Sequence, residues 1–162
     1  GYALAAVPNI ELMTVAVFIS GFLVGPRLGA AVGGMSAAVF SAFNPLGTAL
    51  PPLLAAQALG QAIVGFAGGA VGRGLARKGS CWISFVSAGI VGFLLTLLYD
   101  VLTNIGAFVV ISGEKSPGNL VKFVGAGIAF MAMHLVWNTL VFAVALTPVL
   151  IVLDRHRREI SG

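Results

Sequence analysis

The stretch Leu97-Leu98-Tyr99-Asp100-Val101-Leu102-Thr103-Asn104 decides how this chain can fold. It places one carboxylate, Asp100, in a run from residue 79 to residue 113 that has no other charged side chain and is long enough to cross a bilayer. A carboxylate is costly in hydrocarbon, so it must face other helices or a water-filled cavity. Asn104 follows one helical turn later and shares the same face. The stretch therefore predicts an apolar helix with a polar site on its inner side.

The composition extends this prediction to the whole chain. The 162 residues are 59% hydrophobic and only 9% charged, with a mean hydropathy of +1.05. A soluble domain carries about 25% charged residues, so residues 1–162 are predicted to form a single transmembrane domain embedded in a lipid bilayer. The net charge of +4 comes from basic residues at segment ends, and no nucleic-acid surface is expected. A single cysteine allows neither an internal disulfide nor a cysteine-based metal cluster.

Runs without charge predict an all-α, polytopic helix bundle. A crossing helix needs about 20 residues, which the last three runs supply, whereas the first two are short. The turn signal Gly25-Pro26-Arg27 separates these two short runs. Glu11 is expected to be a solvated acid at the start of the first helix. The five predicted hydrophobic segments are residues 11–25, 28–43, 52–72, 82–111 and 122–153.

Basic residues predict the orientation of these segments. Arg27, the run 73–78 and the tail 154–158 fall at alternate segment ends, whereas the opposite loop 44–52 has no charge. Basic loops stay in the cytoplasm, so we expect a cytoplasmic C-terminus. Residue 1 then lies outside, which implies a further helix before the start of this sequence.

Polar residues one turn apart recur on two other segments, as Gln57 with Gln61 and as His134 with Asn138. Counting about 1.5 Å per residue from the basic ends places all these pairs in the outer half of the membrane. We therefore predict one outward-facing substrate pocket and no metal site. Its predicted lining residues are Asn44, Gln57, Gln61, Asp100, Asn104, His134, Trp137 and Asn138.

Small residues recur at every fourth position of the first two segments. The series is Gly21, Gly25, Gly29, Gly33 and Ala37. Such spacing lets helix backbones approach closely. It is compatible with packing inside the bundle or with a smooth face for a partner membrane protein, and we take it as the partner interface.

The sequence contains few of the motifs that would indicate an enzyme. There is no HExxH or CxxC motif, and only one carboxylate, Asp100, lies deep in a segment. A dyad of Ser36 with His134 stays open, although nothing favours it. Two non-enzymatic alternatives remain: a scaffold in which polar residues only join helices, and a proton-coupled carrier that uses Asp100 and His134.

Several motifs resemble the substrate-binding S components of energy-coupling factor (ECF) vitamin transporters. They are Gly25-Pro26-Arg27-Leu28-Gly29, Phe43-Asn44-Pro45 and the run PPLLAAQ that ends at Gln57. The resemblance covers nearly the whole chain, aligned as helices two to six of a six-helix fold. The PNI motif at residues 8–10, followed by ELMT, is similar to cobalamin-type members.

This resemblance implies a non-enzymatic uptake subunit in a prokaryotic cell membrane. It implies a micronutrient such as cobalamin, riboflavin or thiamine bound near the outer surface. It also implies as partners a transmembrane T component and two ATP-binding cassette ATPases, which hydrolyse ATP, with no cofactor in this chain. The AxxxA-type docking motif of helix one has no counterpart here.

The predicted orientation can be tested by cysteine labelling in intact cells. After replacement of Cys81, a cysteine introduced at Arg77 should resist an impermeant maleimide until the membrane is opened, because basic loops are retained in the cytoplasm. A cysteine introduced at Thr48 should be labelled at once. Labelling of the cysteine at position 77 from outside would overturn the predicted orientation.

Overall fold

The computed structural model describes residues 12–44, 47–77 and 81–161, and every regular element within these ranges is helical. The all-α prediction is confirmed. Glu11, the PNI motif and Pro45 lie outside the described residues. The elements in chain order are α1 (Met13–Val24), α2 (Pro26–Ala42), α3 (Pro51–Ala76), α4 (Cys81–Ile111), α5 (Pro117–Ala126), α6 (Ile128–Val141), a π-helical segment (Phe142–Leu146) and α7 (Thr147–Ser161).

Local sequence sets the helix starts. Pro26, Pro51 and Pro117 each occupy a first-turn position, where the missing N–H of proline costs nothing. Gly25, between α1 and α2, has a φ of 92°, a left-handed conformation that glycine adopts without steric cost. Ser116 caps α5 because its side chain accepts a hydrogen bond from the Asn119 N–H.

The boundaries predicted for the last segment, 122–153, differ from those in the structure. The helical region begins five residues earlier, at Pro117, breaks after Ala126, and resumes at Ile128. It then passes through the π-helical segment and continues to Ser161. The absence of charge between residues 124 and 153 hid the break, because a glycine at position 127 resembles the many glycines inside other helices of this chain.

Three helices are long and apolar enough to cross a membrane: Pro51–Ala76, Trp82–Ile111 and Ile128–Arg157. The apolar helix α1 has only 12 residues. Of the five predicted membrane segments, the structure therefore supports three by length and hydropathy. The two short segments form a helical hairpin instead, which packs along one side of α3.

Helix directions alternate as the loop charges predict. Gln61 contacts Thr14 of α1 and also the backbone at Gly33 of α2, whereas residues further along α3 contact later positions of α1 and earlier positions of α2. Thus α1 runs parallel to α3, and α2 runs antiparallel to it. At the far end of α3, Arg77 donates two hydrogen bonds to Asp154 of α7, at 3.3 and 3.5 Å. The basic ends of α3 and α7 therefore lie together.

Four of the five residues of the small-residue series pack inside the molecule, and the assignment of these four to a partner interface is corrected. A Cβ atom added to Gly21 or Gly29 would collide with the carbonyl of Gly65, and one on Gly33 with the carbonyl of Gln61. Ala37 is also buried, whereas Gly25 occupies the turn. These backbones already touch α3, so no partner helix can approach at Gly21, Gly29 or Gly33. The spacing alone could not separate the two interpretations.

The glycine contacts predict a sharp difference between two substitutions in α3. Gly65→Ala should destabilise the protein by about 1–3 kcal/mol or more, since overpacking a close-packed contact costs that much and the new methyl group would meet the carbonyl of Gly29. Gly74→Ala should be neutral or stabilise by about 0.5–1 kcal/mol, since its Cβ would meet no atom within 4 Å. Denaturation of the detergent-solubilised variants measures both. Equal stability of the two variants would contradict the packing described.

Candidate functional site

A chain of hydrogen bonds joins α4 to α6 in the protein interior. Asp100 Oδ1 lies 2.7 Å from His134 Nδ1, and His134 Nε2 lies 2.9 Å from Asn138 Nδ2. Asp100 and His134 are each 6% exposed, and Asn138 is fully buried. Because His134 and Asn138 are one turn apart, a single face of α6 supplies both groups. The sequence predicted that Asp100, His134 and Asn138 line one pocket, and the structure brings these three side chains together by hydrogen bonds.

The partners of the two ring nitrogens of His134 indicate which nitrogen carries the hydrogen. Asn138 Nδ2 can only donate, so His134 Nε2 accepts, and the Nδ1–H of His134 donates to the carboxylate of Asp100. This tautomer leaves the imidazole neutral. The network of Asp100, His134 and Asn138 therefore carries one net negative charge in a buried setting.

Two acceptor atoms of this network accept no hydrogen bond from the protein. They are Asp100 Oδ2 and Asn138 Oδ1, and both are buried. Leaving a buried polar group unsatisfied costs about 1–3 kcal/mol, and more for a charged one. Trp137 Nε1 is a buried donor that also lacks a partner. Buried atoms of this kind indicate a place where a bound polar group, ion or water molecule would complete the hydrogen bonding.

The other predicted site residues have different partners. Gln61 Nε2 donates to Thr14 Oγ1 of α1 at 3.0 Å, and Gln57 Oε1 accepts from Ser41 Oγ of α2 at 2.6 Å. Asn104 Nδ2 donates to the carbonyl of Asp100 in its own helix, at 2.7 Å. Asn44 is half-buried just past the end of α2. The two glutamines thus join α3 to the α1–α2 hairpin, and a single shared pocket stays a prediction.

Two contacts fix the register of α4 against α6 and the π-helical segment. Asp100 pairs with His134, and Gly92, two turns earlier in α4, packs against Phe142, two turns later in the chain. Midway between these contacts, Thr96 lies opposite Asn138. Both residues are almost completely buried, and Thr96 Oγ1 makes no hydrogen bond.

Helix α1 also contributes a residue at the height of Thr96 and Asn138 in the bundle. The rings of Phe18 and Phe142 meet edge to face, with centroids 5.3 Å apart. Thr14 lies one turn before Phe18 in α1, and Asn138 lies one turn before Phe142. Since α1 and α6 run in the same direction, Thr14 and Asn138 lie at the same level. We call Thr14, Gln61, Thr96 and Asn138 the polar layer; it lies between the aromatic contact and the Asp100–His134 pair.

Sequence reasoning missed Thr14, Ser41 and Thr96. For Thr96 a signal existed, because it precedes Asp100 by one turn and continues the polar face of α4 toward the other end. Thr14 and Ser41 gave none, since isolated hydroxyl residues are common in apolar helices and can satisfy themselves on the helix backbone. Their importance comes from the neighbouring helix that each one meets.

Two cavities open on other parts of the described structure. One, of about 550 Å³, lies on the outer side of α4 and the π-helical segment, and is lined by apolar side chains that include Trp82, Phe85, Phe93 and Val144. The second, of about 540 Å³, lies between α3 and α4 near Leu75. Neither is lined by a predicted site residue.

The structure does not support the enzymatic alternative, a dyad of Ser36 with His134. Ser36 is exposed on α2, whereas His134 is buried against α4, so the two do not form a dyad. Among the described residues, no group of three or more His, Cys, Asp or Glu side chains is placed to hold a metal ion.

Comparison of the chain with protein-family models, curated proteins and solved structures gives no match.

The buried pair predicts an asymmetric result in a double-mutant cycle. His134→Leu should cost about 3–5 kcal/mol of stability, because it strands an uncompensated carboxylate. Adding Asp100→Leu to that variant should recover part of the loss, since no charge is then left buried. His156→Leu serves as the control, because His156 and Glu159 form an exposed pair at 3.6 Å and such pairs contribute about 0–1 kcal/mol. Strictly additive losses at Asp100 and His134 would show that the two side chains are not coupled.

Proposed function

We propose that this protein is an integral membrane subunit that binds a small micronutrient for uptake, in the manner of ECF S components. The observation that carries the proposal is the hydrogen-bonded network of Asp100, His134 and Asn138, buried among apolar helices. Buried ionisable groups in such helices mark substrate and ion sites more often than structural contacts.

The distribution of polarity supports a bilayer as the solvent. Large apolar side chains are exposed along the outer side of α4, for example Ile90 at 55% and Leu94 at 55%. The interior, besides its apolar core, holds polar and ionisable residues that include Asp100, His134 and Asn138. Water would penalise this arrangement, because extended exposed apolar patches are rare in soluble monomers, whereas lipid favours it.

The micronutrient would bind at the end of the bundle that carries the loop residues 47–50 and 112–116. Gln57 and Asn104 are half-buried near this end, so they offer surface that a ligand can cover, whereas Trp137 lies further into the bundle, beside Asn138. Asp100 and His134 would form the polar floor. Pockets of this type combine apolar walls with a few convergent polar groups. In this proposal the end faces outward, in a prokaryotic cell membrane, with the C-terminus in the cytoplasm.

Transport would depend on partners, as the resemblance to S components implies. A transmembrane T component and two ATPases would supply the energy, and this chain would perform no hydrolysis. The corrected position of the glycine series moves the docking surface away from Gly29 and Gly33. The exposed apolar side chains of the α1–α2 hairpin, such as Leu28 and Met35, remain for that role.

One observation favours a second candidate, a proton-coupled carrier. The 2.7 Å contact between Asp100 and His134 joins two groups that can each hold or release a proton, as relays in carriers do. This candidate predicts substrate movement that follows a proton gradient in vesicles containing this chain alone. The binding-subunit proposal predicts tight binding without such movement.

Mass spectrometry of the detergent-solubilised protein should identify a copurified micronutrient. Asp100→Asn and Asn138→Ala should then weaken its binding about tenfold or more, at about 1.4 kcal/mol per tenfold change. Asp100 belongs to the polar floor, and Asn138 holds His134 in place by a hydrogen bond. Glu159→Gln, a change of carboxylate to amide at the exposed end of α7, should leave affinity unchanged.

A scaffold without a ligand predicts the opposite outcome. The same two substitutions would then lower the melting temperature, and no small molecule would copurify. Measuring affinity and melting temperature on one set of purified variants separates the two functions. Reduced stability with unaltered affinity would overturn the proposal.

A further inference from the structure

We propose that the polar layer, together with Asp100, binds a dehydrated sodium ion in the interior of the helix bundle. The ligands would be Asp100 Oδ2 and Thr96 Oγ1 from α4, Asn138 Oδ1 from α6 and Gln61 Oε1 from α3. This site lies beneath the proposed micronutrient site and shares the side chain of Asp100 with it, but ion binding here requires no micronutrient and does not depend on the proposed uptake function.

The first support is the chemistry of the unpaired atoms. All four proposed ligand atoms are oxygens that are buried and make no hydrogen bond with the protein. The residues that carry them are between 0% and 6% exposed. Hard cations such as Na⁺ and Mg²⁺ prefer carboxylate, carbonyl and hydroxyl oxygens. The four oxygens, which come from three helices, are therefore of the chemical types that bind a hard cation.

The second support is their placement. The register fixed by the Asp100–His134 and Gly92–Phe142 contacts puts Thr96 opposite Asn138. Asp100 lies one turn from Thr96 on the same face of α4. The hydrogen bond from Gln61 to Thr14 brings α3 to the same level, since Thr14 and Asn138 each lie one turn before a ring of the Phe18–Phe142 pair.

Charge balance selects a monovalent cation. Asn138 donates to His134, so the imidazole is neutral and the carboxylate of Asp100 leaves one negative charge in the interior. Within the described residues, the side-chain partner of Asp100 is His134, and no Lys or Arg forms an ion pair with this carboxylate. A buried charge is tolerated only when it is paired or coordinates a metal. One carboxylate with neutral oxygens matches a single positive charge, whereas calcium sites use several carboxylates.

Burial limits the size of the occupant. The four oxygens have essentially no accessible surface, so a vitamin-sized molecule cannot reach them unless the helices separate. A water molecule is small enough, and buried waters bridge two to four polar groups. Water would satisfy some of the acceptors but would leave the charge of Asp100 uncompensated. An ion satisfies both requirements.

The π-helical segment lies directly beside this site. It begins at Phe142, one turn after Asn138, and the N–H of Phe142 is shared between the carbonyls of Asn138 and Thr139. Single π-turns inside α-helices occur frequently at functional sites. Here the irregular turn begins one turn after Asn138, which carries one of the proposed ligand oxygens.

Thermal unfolding of the purified full chain, without added micronutrient, tests the proposal directly. Melting temperature should rise with NaCl concentration and reach a plateau when ionic strength is held constant with choline chloride. A ligand that binds only the folded state stabilises it by mass action, so saturation reports a site. KCl should raise the melting temperature less at each concentration.

Two valine substitutions provide a matched pair. Thr96→Val removes one proposed ligand with little change of shape, so the NaCl concentration for half of the maximal shift should rise about tenfold or more. Thr139→Val is the control, because the Thr139 hydroxyl donates to the carbonyl of Leu135 within its own helix at 2.6 Å. The control should keep the response of the original protein.

Three results would overturn the sodium site. Equal melting temperatures in sodium and choline chloride would show that no ion binds, and that water or protonation of His134 satisfies the layer. An unchanged sodium response in Thr96→Val would remove Thr96 from the ligand set, and with it the register argument. An equal loss in Thr139→Val would indicate a general packing effect. Because no micronutrient is present, none of these results bears on the proposed uptake function, whose failure would likewise leave the sodium response unchanged.

Discussion

A carboxylate buried among apolar helices is the constraint on which the rest of this protein depends. Asp100 cannot face lipid, and its burial obliges α4 to turn one face toward partners that can hydrogen-bond. His134 meets that need from α6, and Asn138 in turn fixes the tautomer of His134. The pairing helps to set the rotation and register of α4 and α6. Other contacts between α4 and α6, such as Gly92 against Phe142, follow from that register.

Glycine residues allow α1 and α2 to pack closely against α3. The α1–α2 hairpin reaches α3 at backbone distance because Gly21, Gly29 and Gly65 have no side chains to separate the helices. Close approach lets short polar groups bridge helices: Thr14 reaches Gln61, and Ser41 reaches Gln57. Larger residues at the glycine positions would move the hairpin outward and leave these hydroxyl and amide groups without partners. Packing and polarity are therefore coupled along α3.

The polar layer gives the interior a chemical role that packing alone does not explain. An entirely apolar layer at this level would avoid the cost of unsatisfied oxygens, yet Gln61, Thr96 and Asn138 all lie there. Their side chains come from three helices that also reach the end of the bundle proposed to bind a ligand. Occupation of the layer would therefore stabilise the arrangement of α3, α4 and α6 beneath that end. This gives one physical route by which interior chemistry supports binding nearer the surface.

The sequence by itself determined the helical fold class, the three long apolar helices, their alternating directions and the need for Asp100 to face inward. Periodicity and charge placement carry that information, because each depends only on residues along one helix. Only the tertiary structure decided which helix each polar face meets. Gln57 and Gln61 share a face yet bind different helices, since Thr14 at the start of α1 lies level with Gln61, whereas α2 extends further along α3, to the level of Gln57. It also decided that the glycine series packs inward, because small residues look alike whether a neighbouring helix belongs to the same chain or to another.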